Sequence, residues 1–364
     1  MCVIIASKIK QSNTDKENWF LYKIRDRAYI PEYRIKYTSS SKNSTQVGYI
    51  VDNDSDWSEG VNNKGIMIVN SALQNHEDKK DGTSKGQRLS LGKVARNGVI
   101  IRKALKMSNI NDVVKFLTDV RFEGNTFVSD GKRLFVLEIF LSKVTKSSIL
   151  ANLEIDPIAD KEDVKKILLK HIKPDDYDVA VKEIKSKSLV VRTNHGILLP
   201  KAGYQPESGI GYKSSVYRRK VVINTIKALN PTNPFDIIMA LKQLNTTDIH
   251  NDDIMRPIRT MPDSPYQTTT ILCLTSTGIM FVLPLRCKFE NTNSNRIQKD
   301  RDVHIVILPK KLSLFTESIE NEGFSEVGIL KLLQGKKDEF INIVNNSIMY
   351  TSKLLKEKYA DIND

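Results

Sequence analysis

The start of the chain constrains the fold most, because Met1-Cys2 is followed at once by the apolar run Val3-Ile4-Ile5-Ala6. A short run rich in β-branched residues favours a strand. Residues 17–30 alternate apolar and polar side chains and predict a second strand, which pairs with residues 2–10 across the polar turn 11–16. We therefore expect an antiparallel pair of strands that holds Cys2 rigidly at its end.

Cys2 has two interpretations. If Met1 is removed, Cys2 becomes the N-terminus and carries both a thiol and a free α-amine. The α-amine has a pKa of about 7.7–8.0 and the thiol of about 8.5, so the amine can take the proton of the thiol near neutral pH. The thiolate is the attacking form. The alternative is a small buried hydrophobic residue on a first strand.

Composition indicates a soluble globular chain: it has 364 residues, 40% hydrophobic and 27% charged. No apolar stretch approaches the roughly 18 residues that span a bilayer. Residues 1–30 also lack a secretory signal, so we expect Cys2 to be the mature terminus of a cytoplasmic protein without membrane contacts. Three cysteines without a CxxC pair, and few histidines, argue against a disulfide framework or a zinc site.

The net charge of +13 raises the question of nucleic-acid binding. The lysines are spread along the whole chain, and no ribonucleoprotein or helix-turn-helix motif is visible. A solvated basic surface is the favoured interpretation. An affinity for anionic partners, including nucleic acid, stays open.

Several further segments predict strands joined by tight turns. Asn-Asn-Lys-Gly at 62–65 is typical of a hairpin, with Gly65 at a positive φ, and the strand after it ends on Asn70. Residues 125–138 form a hairpin that turns at Asp130-Gly131. Residues 188–196 again read as a strand that runs into an asparagine, Asn194, and later strands are expected at 268–274, 279–285 and 303–308.

Helices are predicted in four places. Apolar spacing predicts them at 92–106 and 235–244, and Asn109 can cap a third at 110–119. Ser214-Ser215 form a good N-cap for a fourth helix. That cap would put Arg218 in the first helical turn, where a cation opposes the helix dipole and indicates a role other than helix stability.

The dense charges of Lys23-Ile24-Arg25-Asp26-Arg27 have two interpretations. They can protect the edge of a strand. If the first two strands are antiparallel neighbours, they instead place a carboxylate and a guanidinium beside Cys2, where these would stabilise an N-terminal ammonium and a thiolate.

Taken in order, these blocks resemble the cysteine N-terminal nucleophile (Ntn) hydrolases. The groups concerned are choloylglycine hydrolase with penicillin V acylase, isopenicillin N acyltransferase and, more loosely, the transport and Golgi organisation group. The resemblance runs from Cys2 to about Cys287. Each block is short, and their preserved order carries the likeness.

The resemblance makes Cys2 the nucleophile and Asp26 the carboxylate that orients the α-amine. Residues 23–26 are similar to Arg-x-x-Asp, with Lys23 in place of the arginine. Arg25-Asp26 is similar to part of an Asn-Arg-Asp-Glu motif, and Arg25 is the favoured cation at the thiol. Residues 59–70 resemble a Gly-Met-Asn-Glu-Lys-Gly-Leu block followed by an asparagine, which makes the backbone N–H of Asn70 an oxyanion donor.

Residues 125–138 resemble a hairpin motif of the acyltransferase group that ends in a glutamate. Thr193-Asn194-His195 resembles a Thr-Asn-His motif of the same group, with the Asn194 amide facing the oxyanion. His195 is expected to be a local hydrogen-bonding residue. Ser-Ser-x-x-Arg at 214–218 makes Arg218 the active-site arginine. Cys273 and Cys287 are expected to be core thiols.

The implied fold is α+β, a four-layer αββα sandwich over 1–310. A charged, mostly helical insert covers about 142–186, and a helical C-terminal extension covers 311–364. The implied reaction is hydrolysis or acyl transfer of a linear amide, small or peptide-like, through a thioester on Cys2, with no metal and no cofactor. The alternatives are a catalytically altered protein that binds an anionic ligand or nucleic acid, and an activity on the chain itself or on another protein. Whether the chain forms a homo-oligomer is open.

Overall fold

The structure is a computed structural model. It describes residues 2–10, 17–27, 33–41, 44–51, 57–73, 97–142, 173–231, 234–247, 255–259, 267–276, 278–282 and 303–307. Predictions for residues outside these ranges, including the extension 311–364 and Cys287, lie outside the described part of the chain.

Two antiparallel sheets dominate the described residues. The first sheet has the order β10-β1-β2-β11-β12-β13 and the second the order β3-β4-β5-β6-β7-β8-β9. The strands are β1 (Cys2–Lys10), β2 (Glu17–Arg27), β3 (Tyr33–Ser41), β4 (Ser44–Val51), β5 (Trp57–Asn62), β6 (Met67–Ser71), β7 (Gly124–Ser129), β8 (Leu134–Leu141), β9 (Tyr177–Glu183), β10 (Leu189–Arg192), β11 (Gln267–Thr275), β12 (Gly278–Val282) and β13 (Val303–Ile307).

The described α-helices are α1 (Asn97–Ala104), α2 (Ile110–Asp119), α3 (Ile210–Leu229) and α4 (Pro234–Thr247). Asn109 caps α2 as predicted, because its side-chain oxygen accepts a hydrogen bond of 2.8 Å from the N–H of Asn111. Within the described residues, no helix combines the length and apolarity that crossing a membrane requires.

Three hydrophobic layers separate the sheets and helices. The two sheets pack face to face through one set of alternating side chains, with Ile4, Ala6, Trp19 and Leu21 opposite Val61, Met67, Val69 and Phe127. The other face of the first sheet packs on α3 and α4 through Val3, Ile5, Tyr22, Ile24, Val222, Ile226, Ile237 and Leu241. The outer face of the second sheet packs on α1 and α2 through Ile68, Val128, Leu137, Ile101, Leu105, Val113 and Leu117.

This layering confirms the predicted four-layer αββα sandwich. The predicted tight turns are confirmed as well, since Gly65 and Gly131 adopt φ values of +82° and +87° that favour glycine. The predicted pairing of residues 2–10 with the next strand is present over the whole of β1, in antiparallel register.

One local prediction is wrong. The helix cap at Ser214-Ser215 is not formed, since α3 begins four residues earlier at Ile210, after Gly209. Arg218 therefore lies in the third turn, where the dipole argument does not apply. Residues 173–186 of the predicted insert contain the edge strand β9, because Tyr177, Val179 and Val181 alternate with more polar neighbours. Residues 143–172, which include the predicted helix of the insert, lie outside the described residues.

Candidate active site

Cys2 lies at the end of β1 and directly opposite Arg25 of β2, while Lys23 lies opposite Ile4. Residues that pair across an antiparallel ladder share a face, and alternate residues along a strand share it too. Cys2, Lys23 and Arg25 therefore face the second sheet, on the same side as the buried residues Ile4 and Leu21. Cys2 itself is half-buried.

Lys23 and Arg25 are held by one buried carboxylate from the second sheet. Both cations contact Oε1 of Glu59, and the Lys23 ammonium also donates to the backbone carbonyl of Asn70. Glu59 lies on β5 and Asn70 on β6, so the ammonium joins the first sheet to two neighbouring strands of the second. The cations beside the thiol are thus fixed by contacts with residues that lie 34 to 47 positions further along the chain.

The cations change the ionisation of the thiol. Burial raises the pKa of Cys2, but Lys23 and, to a smaller extent, Arg25 lower it, and the pKa lies below that of an ordinary thiol. Both predicted cations therefore act on Cys2, and Lys23 has the larger effect although Arg25 was the favoured one.

An ordinary thiol has a pKa of about 8.5, so its alkylation by iodoacetamide slows below that pH as the thiolate is protonated. Because the pKa of Cys2 is lower, we expect its alkylation to stay fast at pH values where an ordinary thiol reacts slowly. Replacing Lys23 by Met should move the midpoint of the pH–rate curve upward by about one unit, because the thiolate loses its strongest cation. Lys115→Met, at an exposed lysine of α2, is the matched control. An unchanged midpoint in Lys23→Met would contradict this role.

A second cluster lies on the helix-facing side of β2. Asp26 accepts a hydrogen bond of 2.8 Å from Thr268 Oγ1 and contacts Arg259 at 3.2 Å and Arg218 at 3.9 Å. Arg259 also donates to Ser214 Oγ at 3.2 Å. The carboxylate and both guanidinium groups are almost fully buried. Asp26 is thus oriented by groups from β11, α3 and the segment 255–259.

Arg218 links this cluster to Asn194 and to the thiol. Its NH2 group donates to Asn194 Oδ1 at 3.0 Å and its Nε to Ser214 Oγ at 3.1 Å. Burial and Arg259 lower the pKa of Arg218 to about 10, while Asp26 and the Cys2 thiolate act in the opposite direction. Arg218 is therefore charged at neutral pH and within electrostatic range of Cys2.

Asn194 is fixed on every side. Its N–H donates to Ser215 Oγ at 2.9 Å, and its side-chain Nδ2 donates to the carbonyl of Ala72 at 2.8 Å. The preceding carbonyl, of Thr193, accepts from Ser71 Oγ and from Asn125 Nδ2. An amide nitrogen has two hydrogens. Ala72 uses one of them, and the second can serve an oxyanion.

Asn70 uses its side chain differently. Its Nδ2 donates to Thr126 Oγ1 at 2.9 Å and to the carbonyl of Glu123 at 3.2 Å. A Cβ on Gly124 would lie only 2.8 Å from that Nδ2, so glycine is required beside it. With both amide hydrogens occupied, the backbone N–H remains the group of Asn70 that can face a substrate.

His195 is a structural neighbour of the site. Its Nδ1 lies 2.7 Å from Ser215 Oγ and 3.1 Å from Thr193 Oγ1, as the expected local hydrogen-bonding role requires. Burial, together with the charges of Arg219, Arg192 and Arg218, lowers the pKa of His195 to about 4. The imidazole is therefore neutral near pH 7.

This shift predicts a loss of stability in mild acid. In the unfolded chain His195 takes up a proton near its ordinary pKa of about 6.5, but the folded protein resists this down to about 4. The contribution of neutral His195 to the free energy of unfolding is therefore fully present above about pH 6.5 and is lost as the pH falls below that value. Between about pH 7.5 and about pH 5, the urea midpoint should fall further in the wild type than in His195→Asn. Equal falls would contradict the shift.

All six residues predicted from the sequence belong to this connected region: Cys2, Arg25, Asp26, Asn70, Asn194 and Arg218. Glu59 and Arg259 were missed. Glu59 is the one charged residue of strand β5, which is a signal that could have found it. Arg259 lies in a polar stretch without periodicity, so no sequence signal marks it as a site residue. Cys273 is a buried free cysteine of the helix-facing core, as predicted.

No protein-family model matches the chain, and no curated protein matches it in sequence. Some solved structures are similar to it. One is an N-acylethanolamine-hydrolyzing acid amidase ortholog of Caenorhabditis elegans, with a TM-score of 0.41 and 10% identity, covering 85% of this chain and 100% of that one. Another is the C2A mutant of a conjugated bile acid hydrolase of Clostridium perfringens, with a TM-score of 0.38 and 10% identity over 85% of this chain and 97% of that one.

Proposed function

We propose that the protein is a cysteine N-terminal nucleophile hydrolase that cleaves amide bonds through a thioester on Cys2. One observation carries the proposal: the second residue of the chain lies between a cationic pair, Lys23 and Arg25, and the Asp26–Arg218–Asn194 network. A buried thiol that served only as a core residue would not need four buried cations and two carboxylates around it.

Acylation follows from these groups. The α-amine of Cys2, freed by removal of Met1, takes the proton from Sγ, and Asp26 orients this amine. The sulfur forms a bond to the amide carbon while the carbonyl electrons move to the oxygen. When that oxygen restores the double bond, the C–N bond breaks and the leaving nitrogen takes the proton from the α-ammonium. The products of this step are a free amine and a thioester.

The negative oxygen needs donors that are already in place. The second hydrogen of Asn194 Nδ2 and the backbone N–H of Asn70 fill this role, with Arg218 fixing the Asn194 amide from behind. A single donor of this kind contributes roughly 3–4 kcal/mol to an acyl-transfer reaction. Each donor is fixed by neighbouring groups, which avoids reorganisation during the reaction.

Deacylation repeats the step with another nucleophile. Water gives hydrolysis, and an amine gives acyl transfer; in both cases the α-amine takes the proton of the incoming group. The C–S bond then breaks as the oxygen restores its double bond, and the α-ammonium returns the proton to Sγ. The substrate class we propose is a linear amide, small or peptide-like.

A panel of acyl amides tests the proposal, including penicillin V, bile-salt conjugates and N-acyl amino acids. Each amide is incubated with the protein, the reaction is stopped with acid, and the mass of the chain is measured. We expect an acyl adduct on the peptide that contains Cys2. An adduct on Cys273 instead, or hydrolysis without any effect of prior alkylation of Cys2, would refute the proposal.

A further inference from the structure

The loop that follows Asn194 is closed at its base by backbone contacts. His195 and Gly203 form an isolated antiparallel bridge, and the N–H of Tyr204 donates to the carbonyl of Asn194 at 3.0 Å. The N–H of Gly196 donates to the carbonyl of Ala202 at 2.8 Å. The position of loop 196–204 is therefore tied to the position of the Asn194 backbone.

A buried carboxylate of the second sheet, Glu138 of β8, fills this loop. Its Oε2 accepts hydrogen bonds from three consecutive backbone N–H groups, those of Ile197, Leu198 and Leu199, at 2.8, 2.7 and 2.9 Å. Its Oε1 accepts from Nε of Arg192 at 2.9 Å. Successive N–H groups that converge on one point form a site for an anion, and hydrogen bonds to a charged acceptor are the strong ones.

The contacts of Glu138 bracket Asn194 in sequence. Arg192 precedes Asn194 by two residues, and the three N–H groups follow it by three to five. Both sets of contacts are made to one side chain that is fully buried and belongs to the opposite sheet. A displacement of the carboxylate would therefore move the backbone on both sides of Asn194 together.

We propose that Glu138 is the positioning residue of the Asn194 oxyanion donor and acts through Arg192 and through loop 196–204. The inference rests on the proposed function, since it assigns a purpose to the placement of Asn194. Glu138 itself touches no reacting atom. Its effect is to hold the second hydrogen of Asn194 Nδ2 where the oxyanion forms.

Glu138→Gln tests this with an isosteric change. The single carbonyl of glutamine can replace Oε2, but its NH2 group then meets the N–H of Arg192, donor against donor. We expect acylation by an amide substrate to slow about 100-fold, the size of effect that a misplacement of about 1 Å produces. Alkylation of Cys2 by iodoacetamide forms no oxyanion, so its rate should stay within about twofold of the wild type.

The matched control is Glu183→Gln, which removes a carboxylate paired with Arg133 at 2.9 Å on the neighbouring strand, near the surface. It should leave both rates unchanged. A Glu138→Gln protein that loses both reactions equally, or neither, would overturn the positioning role.

Hydrogen exchange provides a readout that needs no variant and no turnover. In the wild-type protein the amides of 197–199 should be strongly protected, because a buried carboxylate holds them; rapid exchange there would contradict the inference even if Glu138→Gln does not fold.

If the wild type is alkylated at Cys2 but hydrolyses no amide, the proposed function fails. If it hydrolyses amides and Glu138→Gln does so equally well, only the positioning role fails.

Discussion

Cys2→Ala is expected to reduce amide hydrolysis by about 10⁴-fold or more, because a nucleophile and its base act as one unit and removing the nucleophile removes the covalent route. Because Cys2 is only half-buried, the free energy of unfolding of the protein should change by less than about 1 kcal/mol in this variant. The rate of hydrolysis is measured from the release of the amine, and the free energy of unfolding from urea denaturation.

Cys273→Ala is the matched control for this change. Cys273 is a fully buried thiol of the helix-facing core, and burial raises its pKa far above the ordinary value, so it is unreactive. Its replacement should lower stability but leave the activity of the folded protein unchanged. Hydrolysis that persists in Cys2→Ala, or that is lost only in Cys273→Ala, would refute the assignment of the nucleophile.

Asp26→Asn is expected to have the largest effect on stability, about 3–5 kcal/mol in the free energy of unfolding, because it removes one partner of a buried ion pair. The carboxylate lies between Arg259 and Arg218, and neither guanidinium is exposed to water. Asparagine keeps the shape but not the charge. Amide hydrolysis should fall as well, because the α-amine of Cys2 loses the group that orients it.

The matched control is Asp119→Asn. Asp119 pairs with Lys115 at 2.6 Å on the surface of α2, where the side chains of Lys115 and Asp119 are 75% and 57% exposed. An exposed pair of this kind contributes about 0.3–0.5 kcal/mol, so its loss should hardly move the urea midpoint. Equal stabilities for Asp26→Asn and Asp119→Asn would contradict the buried-pair interpretation.

Features that depend on neighbouring residues could be predicted from the sequence. The turns at Gly65 and Gly131 require a backbone conformation that glycine adopts readily, and the alternation along residues 2–10 and 17–30 defines two strands. Antiparallel pairing of those strands then places Arg25 opposite Cys2 without any knowledge of the rest of the fold. Local patterns therefore sufficed to bring Arg25 next to Cys2, the proposed nucleophile.

Contacts between distant segments could not be predicted in this way. Arg259 reaches Asp26 across 233 residues, and Glu59 reaches Arg25 across 34, so no local pattern reports either pair. The prediction of a helix cap at Ser214-Ser215 was wrong for a related reason. Both hydroxyls bind partners outside the helix, Ser214 with Arg259 and Ser215 with the N–H of Asn194, and are therefore not needed at its start.

The role of Cys2 as an N-terminal nucleophile is tested by the mass of the purified native chain before and after brief treatment with iodoacetamide. The proposed mechanism requires a chain that lacks Met1, and we expect it to gain one carbamidomethyl group on Cys2 with parallel loss of amide hydrolysis. A chain that retains Met1 has no free α-amine on Cys2. Retained Met1 in a protein that hydrolyses amides would contradict the mechanism, and retained Met1 in one that hydrolyses none would favour a protein that binds an anionic ligand.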